Sequence, residues 1–311
     1  MAGIPGKVVA VAAALLVGLA GAVWLSGLDE PSGRRAGPAQ PGAAQEDYRY
    51  KSIVCMSPAA SEIVFVAGAG GRVVGVSQWT QHPPEALGLP RCGGFYNPNY
   101  ERILALEPDL IFTQGEAEDL RRFARGYGME VCSLALTDLE SITREVRRVG
   151  VLLQTEPQAE LVSAEMQYRL ARVRARVARE PVVGVLLVTG RQPDALNDIA
   201  TVGPRTFLHD LVAAAGGRNV FDDLFMDYGV ISKEALVARA PEVIVELHGE
   251  GGDHARLERE VRGLWNAMPS LPAVRDGRVY AVEATYALIP GPRVVDLAER
   301  LADLLHGEAE Q

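Results

Sequence analysis

Glu101-Arg-Ile-Leu-Ala-Leu-Glu-Pro-Asp-Leu-Ile111 and Glu234-Ala-Leu-Val-Ala-Arg-Ala-Pro-Glu-Val-Ile244 are two copies of one pattern. Both begin with Glu, place aliphatics third and fourth, Ala fifth, Pro eighth and an acid ninth, and close on an aliphatic pair, with nothing inserted or deleted between them. Proline inside a helix removes a hydrogen bond and clashes with the preceding turn, so each copy reads as a short helix stopped before Pro108 or Pro241. The apolar runs that follow, Leu110 to Phe112 and Val243 to Val245, are continuous rather than alternating, as in a parallel strand covered on both faces. Each copy is therefore a helix-to-strand unit, and two such units predict two similar α/β lobes. Glu101 and Glu234 fall in the first turn of their helices, where a carboxylate complements the helix dipole.

The chain has 311 residues, 48% of them hydrophobic, enough to bury one large core or two modest ones. Its net charge is −9, from 31 basic and 40 acidic residues, without the concentrated basic face that a nucleic-acid partner requires. Three cysteines, Cys55, Cys92 and Cys132, include no Cys-x-x-Cys pair and suggest neither a disulfide framework nor a zinc site.

From the N-terminus, Lys7 precedes an uncharged apolar run over Val8–Leu28. That run fits an export signal with a small-residue cleavage site at Ala20-Gly21-Ala22, and equally an uncleaved membrane anchor, so residues 1–28 are read as signal peptide or anchor. Residues 29–47, rich in Pro, Gly, Ala and Gln, read as a flexible linker. Alternating strands and helices then predict an N-terminal α/β lobe over 48–153, with an open parallel sheet whose ligands bind beyond the carboxyl ends of its strands. The loop from Ser77 to Tyr100 is long for a compact domain and carries Trp79, His82, Phe95 and Tyr96. Residues 154–180 lack glycine and repeat apolar residues at helical spacing through Leu161, Ala164, Tyr168, Ala171, Ala175 and Ala178, which predicts one long helix bridging the lobes. A C-terminal α/β lobe over 181–311 follows. It includes a Gly-rich loop from Thr189 to Gly203, and its loops carry Arg191, Arg205, Tyr228, Tyr286 and Arg293.

The order of the Ser57-Pro58 helix, Val73-Val74-Gly75-Val76, Pro83-Pro84, Gly93-Gly94, Asn99 to Ile111, the long helix, Gly216-Gly217-Arg218-Asn219-Val220-Phe221 and Ser232 to Ile244 resembles the periplasmic substrate-binding proteins of ABC importers for vitamin B12 and ferric siderophores. The likeness runs from Tyr48 to Leu305. It implies two Rossmann-like α/β lobes with open parallel sheets bridged by a backbone helix, and a metal chelate held between them as transported cargo, with no cofactor. It implies a monomer located outside the cytoplasm whose partners are an ABC permease dimer and its ATPase subunits. By position in that family, Trp79, Phe95 or Tyr96, and Tyr228 contact ligand, with Tyr286 and Arg293 opposite, and Glu101 and Glu234 dock onto permease arginines; His82, Gln114 and Arg191 are further ligand-binding candidates. Aromatic faces suit a flat ring, and Arg and amide donors suit its polar rim.

Other readings stay open on the residues alone. His82 and the group Glu246, His248, Glu250, Asp253 and His254 are candidates for a bare metal ion. Haem or an oxyanion are alternative ligands, and an uncleaved anchor suits a membrane-tethered sensor. No Gly-x-x-x-x-Gly-Lys, His-Glu-x-x-His or Gly-x-Ser-x-Gly motif makes a positive case for an enzyme.

Overall fold

The structure, a computed structural model, describes residues 48–249 and 254–307; the signal or anchor at 1–28, the linker at 29–47, and Glu250 and Asp253 lie outside the described residues. Among the described residues no helix is long and apolar enough to cross a membrane.

The first lobe is built on the apolar runs. Ile53–Cys55 (β1), Val73–Val76 (β2), Leu110–Gln114 (β3) and Glu130–Leu134 (β4) form a wholly parallel sheet in the order β2-β1-β3-β4. Every residue of β1 is buried, which requires cover on both faces. Pro58–Val64 (α1) and Leu139–Leu153 (α4) cover the face of Cys55 and Phe112, while Tyr100–Ala105 (α2) and Glu118–Gly126 (α3) cover that of Val54 and Ile111. Local signals start these helices: the Ser57 hydroxyl accepts from the Ala60 N–H at 3.1 Å with Pro58 in the first turn, and Asp138 and Ser141 form a reciprocal capping box.

Glu156–Val177 (α5) is the long helix, 22 residues and about 33 Å at the usual rise. Its buried positions are Ala159, Ser163, Met166, Leu170, Val173 and Val177, a spacing of alternate fours and threes that makes a narrow seam. The face predicted from sequence is the wrong one: Leu161 and Tyr168 are 68% and 59% exposed, and Ala164, Ala171, Ala175 and Ala178 also face solvent. The seam begins small, at Ala159 and Ser163, because α4 and α5 cross closely there and a Cβ at Gly150 would collide with Ala159; Met166, Leu170, Val173 and Val177 fill the rest of it.

In the second lobe, Val183–Gly190 (β5), Ile199–Val202 (β6), Phe207–Ala214 (α6), Gly217–Asn219 (β7) and Tyr228–Ile231 (β8) precede the second repeat. Lys233–Arg239 (α7), Val243–His248 (β9), His254–Trp265 (α8), Pro272–Arg275 (α9), Val279–Glu283 (β10) and Val294–His306 (α10) complete it. The sheet order is β10-β9-β5-β6-β8, with β7 also beside β5. Strands β10, β9, β5 and β7 are parallel as expected, but β6 and β8 add antiparallel pairs, so the second sheet is mixed. The predicted Gly-rich loop therefore contains a strand, Ile199–Val202, whose four residues are too few to stand out beside Asn197 and Asp198.

The repeat holds at atomic detail. Asn99 and Ser232, two residues before each Glu, accept from the Arg102 and Ala235 N–H groups at 2.9 and 3.1 Å. The seventh residues, Glu107 and Ala240, are both left-handed, at φ 46° and 45°. The ninth residues do the same work: Asp109 accepts from the N–H groups of Lys51 and Ser52 ahead of β1, and Glu242 accepts from the Gly184 N–H of β5. Each acid thus fixes its own strand to the neighbouring one.

One apolar cluster runs through both lobes, from Ile53, Phe112 and Ile142 through Leu170 and Val173 of α5 to Leu187, Leu211, Val245 and Leu301. Arg169 of α5 clasps Asp296 and Glu299 of α10 at 2.7 and 2.6 Å, and the Leu139 N–H donates across the lobes to Asp210 of α6 at 3.2 Å.

Candidate functional site

The carboxyl end of β2 leads into the loop from Ser77 to Asn99, which is tied down rather than free. The Gln78 N–H donates to the Gly93 carbonyl, and the Cys92 N–H to that of Val76. The Arg91 guanidinium donates to the carbonyls of Ser77, Thr80 and Leu87, and the Ser61 and Thr80 hydroxyls meet at 3.0 Å. Gly93, at φ 80°, could carry no side chain because a Cβ would strike the Asn97 carbonyl and the Asn99 nitrogen. At Gly94 a Cβ would lie 3.3 Å from the Trp79 indole nitrogen, so Trp79 lies over the turn that presents Phe95 and Tyr96. Those two rings lie 3.9 Å apart between centroids, tilted by 38°, and Trp79 and Tyr96 are 42% and 56% exposed. Three aromatic side chains are thus gathered by one anchored loop, Trp79 and Tyr96 exposed and Phe95 packed partly against the core, an arrangement suited to a flat ligand.

Where the lobes meet, Arg293, just before α10, forms a forked ion pair with Glu62 of α1, at 2.6 Å and 3.1 Å. The Glu62 side chain is 2% exposed and that of Arg293 19%. Arg293 also donates to the Thr285 hydroxyl at 3.0 Å and lies 5.3 Å from the Tyr286 ring centre. His82 belongs to this junction. Burial and the Arg293 charge lower its pKa, with Glu62, Glu85 and Asp296 opposing, so its imidazole is neutral at neutral pH. Burial pushes the Tyr286 phenol up, Asp296 adding to the rise and Arg293 offsetting it. Tyr96 is raised by burial, and Tyr228 is pushed up to about 12 by burial and by Asp227.

Glu62 escaped the sequence reading. Its signal was a lone acid in the apolar stretch Pro58–Val64.

The remaining expected residues divide. Gln114 ends β3 opposite Leu134, half-buried at the carboxyl edge of the first sheet. Tyr228 opens β8 and packs against the shared core. Arg191 is not with the others; it belongs to a buried network on the other side of the second sheet, with the cluster of Ile244 and Trp265. There Glu246 accepts from Arg191 at 2.8 Å and from the Trp265 indole at 2.5 Å, with His248 at 3.2 Å. Burial raises the Glu246 carboxyl, but the hydrogen bonds from His248, Arg191 and Trp265 outweigh it and hold the group below its ordinary value. These partners occupy the carboxylate that the bare-metal reading needs, and among the described residues no three His, Cys, Asp or Glu side chains converge as metal ligands.

Glu101 and Glu234 are both exposed at their helix starts. Its own backbone N–H and the Ser232 hydroxyl hold the Glu234 carboxyl below its ordinary value, so it is charged at neutral pH. A separate groove of about 610 Å³, lined by Phe65, Val66, Pro157 and Leu161 among others, contains none of the expected site residues.

Comparison with known proteins agrees with this architecture. The vitamin B12-binding protein of Vibrio cholerae serotype O1 is 25% identical over 267 residues, covering 85% of this chain and 92% of that protein. The crystal structure of the periplasmic vitamin B12 binding protein of Vibrio cholerae superposes with a TM-score of 0.71 at 25% identity, over 84% of this chain and 99% of that one. A periplasmic heme binding protein from Pseudomonas aeruginosa gives 0.70 at 28% identity, over 84% and 94%. The sequence matches the family described as periplasmic binding protein over residues 53–286. With two α/β lobes, a bridging helix and a match across most of its length, the chain belongs to the periplasmic binding protein family.

Proposed function

We propose that this protein is the extracytoplasmic receptor of an ABC importer, holding a metal chelate, a corrinoid such as vitamin B12 or a ferric siderophore, between its lobes and delivering it to the permease. The observation that carries the reading is the anchored aromatic group Trp79, Phe95 and Tyr96 on the loop that follows β2, together with the neutral His82 and the Tyr286–Arg293 pair at the lobe junction. Gln114 and Tyr228 complete the proposed contacts, and Arg191 acts as a support for β9 rather than as a ligand contact. The ligand leaves chemically unchanged, so the protein is a carrier and not an enzyme. Haem is the second reading, favoured by the likeness to the heme binding protein.

Exposed carboxylates at equivalent positions of two repeated units offer a matched pair of contacts to a twofold permease, and Glu101 and Glu234 are proposed in that role. Titration of the purified protein with cyanocobalamin, aquocobalamin, a ferric catecholate and haemin, followed by visible absorbance, tests the ligand. Tight binding of one chelate is expected, and no spectral change with any of them refutes the reading. Glu101→Arg with Glu234→Arg is expected to abolish uptake while leaving ligand affinity intact; undiminished uptake refutes the docking role.

A further inference from the structure

The cations that the sequence offers to the ligand are already committed. Arg293 is neutralised by the forked bond to Glu62, Arg191 by Glu246, and Arg205 by Asp227 at 2.8 Å. Arg91 directs its terminal nitrogens at three backbone carbonyls. The other residues proposed to contact ligand are polar but uncharged: the phenols of Tyr96, Tyr228 and Tyr286, which burial raises further above their ordinary value, the Trp79 indole, the Gln114 amide and the neutral His82. Thr189, near the carboxyl end of β5, is 3% exposed, with a hydroxyl that has no partner among the described residues.

We infer that this protein selects a chelate whose rim is uncharged and amide-bearing over one whose rim is carboxylate-bearing, because the Glu62–Arg293 and Arg191–Glu246 pairs already engage the two arginines that the sequence offers as ligand contacts. The inference rests on the chelate reading above and narrows it. A carboxylate entering the site would stay unneutralised in a partly dry setting, or would have to displace Glu62 and strand that carboxylate in the interior. An amide meets phenol, indole and amide partners without moving either. The overall charge of −9 adds long-range repulsion of anions.

The test compares matched ligands on the full protein at one ionic strength. Cyanocobalamin is set against its separated monocarboxylic derivatives, in which a single propionamide is hydrolysed, and haemin against haemin dimethyl ester. The expected result is that at least one monoacid binds about tenfold or more weakly than cyanocobalamin, none binds more tightly, and the diester binds more tightly than haemin. Monoacids that all bind within twofold of the parent, or any carboxylate form that binds better than its neutral counterpart, overturn the inference and leave the chelate reading standing. Failure of every ligand to bind overturns the chelate reading itself. Glu62→Gln, which frees Arg293, is expected to narrow the preference for the amide form; an unchanged preference in a folded variant overturns the role of the pair. Where that variant does not fold, the wild-type comparison decides alone.

Discussion

The Glu62–Arg293 pair is the place where a single substitution reaches both lobes. Arg293→Met removes two charge-assisted hydrogen bonds, at 2.6 Å and 3.1 Å, from a carboxylate whose side chain is 2% exposed, and supplies nothing in return. A buried ion stripped of its partner costs about 3–5 kcal/mol. For a folded unit of this size that corresponds to a fall in Tm of roughly 6–20 °C. Glu62→Met is milder, about 2–3 kcal/mol, because Arg293 keeps the Thr285 hydroxyl and reaches some solvent. Replacing both together restores an uncharged, apolar contact of similar volume, and the double variant is expected within about 1–2 kcal/mol of wild type. The cycle therefore gives a coupling energy of about 3–7 kcal/mol. Urea unfolding followed by circular dichroism, with a constant slope across the four proteins, measures it. Single costs below about 1 kcal/mol, or a double variant that merely sums the singles, would show that the pair is not a desolvated junction.

Three further outcomes follow from the same geometry. Ala240→Gly, and separately Glu107→Gly, relieve a left-handed conformation in a residue with a Cβ and are expected to stabilise the fold by about 0.5–1 kcal/mol each, read by denaturant midpoint. Trp79→Ala is expected to weaken chelate binding by about 1–3 kcal/mol with little change in stability, since the side chain is 42% exposed; unchanged affinity removes it from the ligand contacts. His82 has its pKa lowered from 6.5 by burial and by Arg293, so below that value the unfolded chain binds more protons at this site. Its contribution to stability is therefore complete above pH 6.5 and is lost as pH falls through the lower folded-state value, and His82→Gln is expected to flatten that part of the stability profile.

The fold was legible where one chemical rule dominated. Pro108 and Pro241 stop their helices, continuous apolar runs became parallel strands, and Leu139–Leu153 formed as the spacing predicts. The second sheet's antiparallel strands escaped because four-residue segments give too little periodicity to separate strand from loop. The buried face of the long helix was misassigned because the row Leu161, Ala164, Tyr168, Ala171, Ala175 and Ala178 has the same helical spacing as the true seam through Met166, Leu170, Val173 and Val177. Leu161 and Tyr168 fall on the solvent side of that seam with the alanines. At the site, Trp79, Phe95 and Tyr96 could be grouped from their shared loop. The partners of Arg191 and Arg293 could not, because Glu246 and Glu62 are 55 and 231 positions away in the chain and only the folded structure brings them within reach.

The interior that runs unbroken from Phe112 through Leu170 to Leu301 also limits how relatives of this protein can be recombined. A chimera joined at the bridging helix would set two interiors of different ancestry against each other along the seam from Ala159 to Val177, and each half would have to fit a surface shaped for another partner. Grafts confined to the loop between Ser77 and Asn99 leave that seam untouched, so new specificities are best transplanted there.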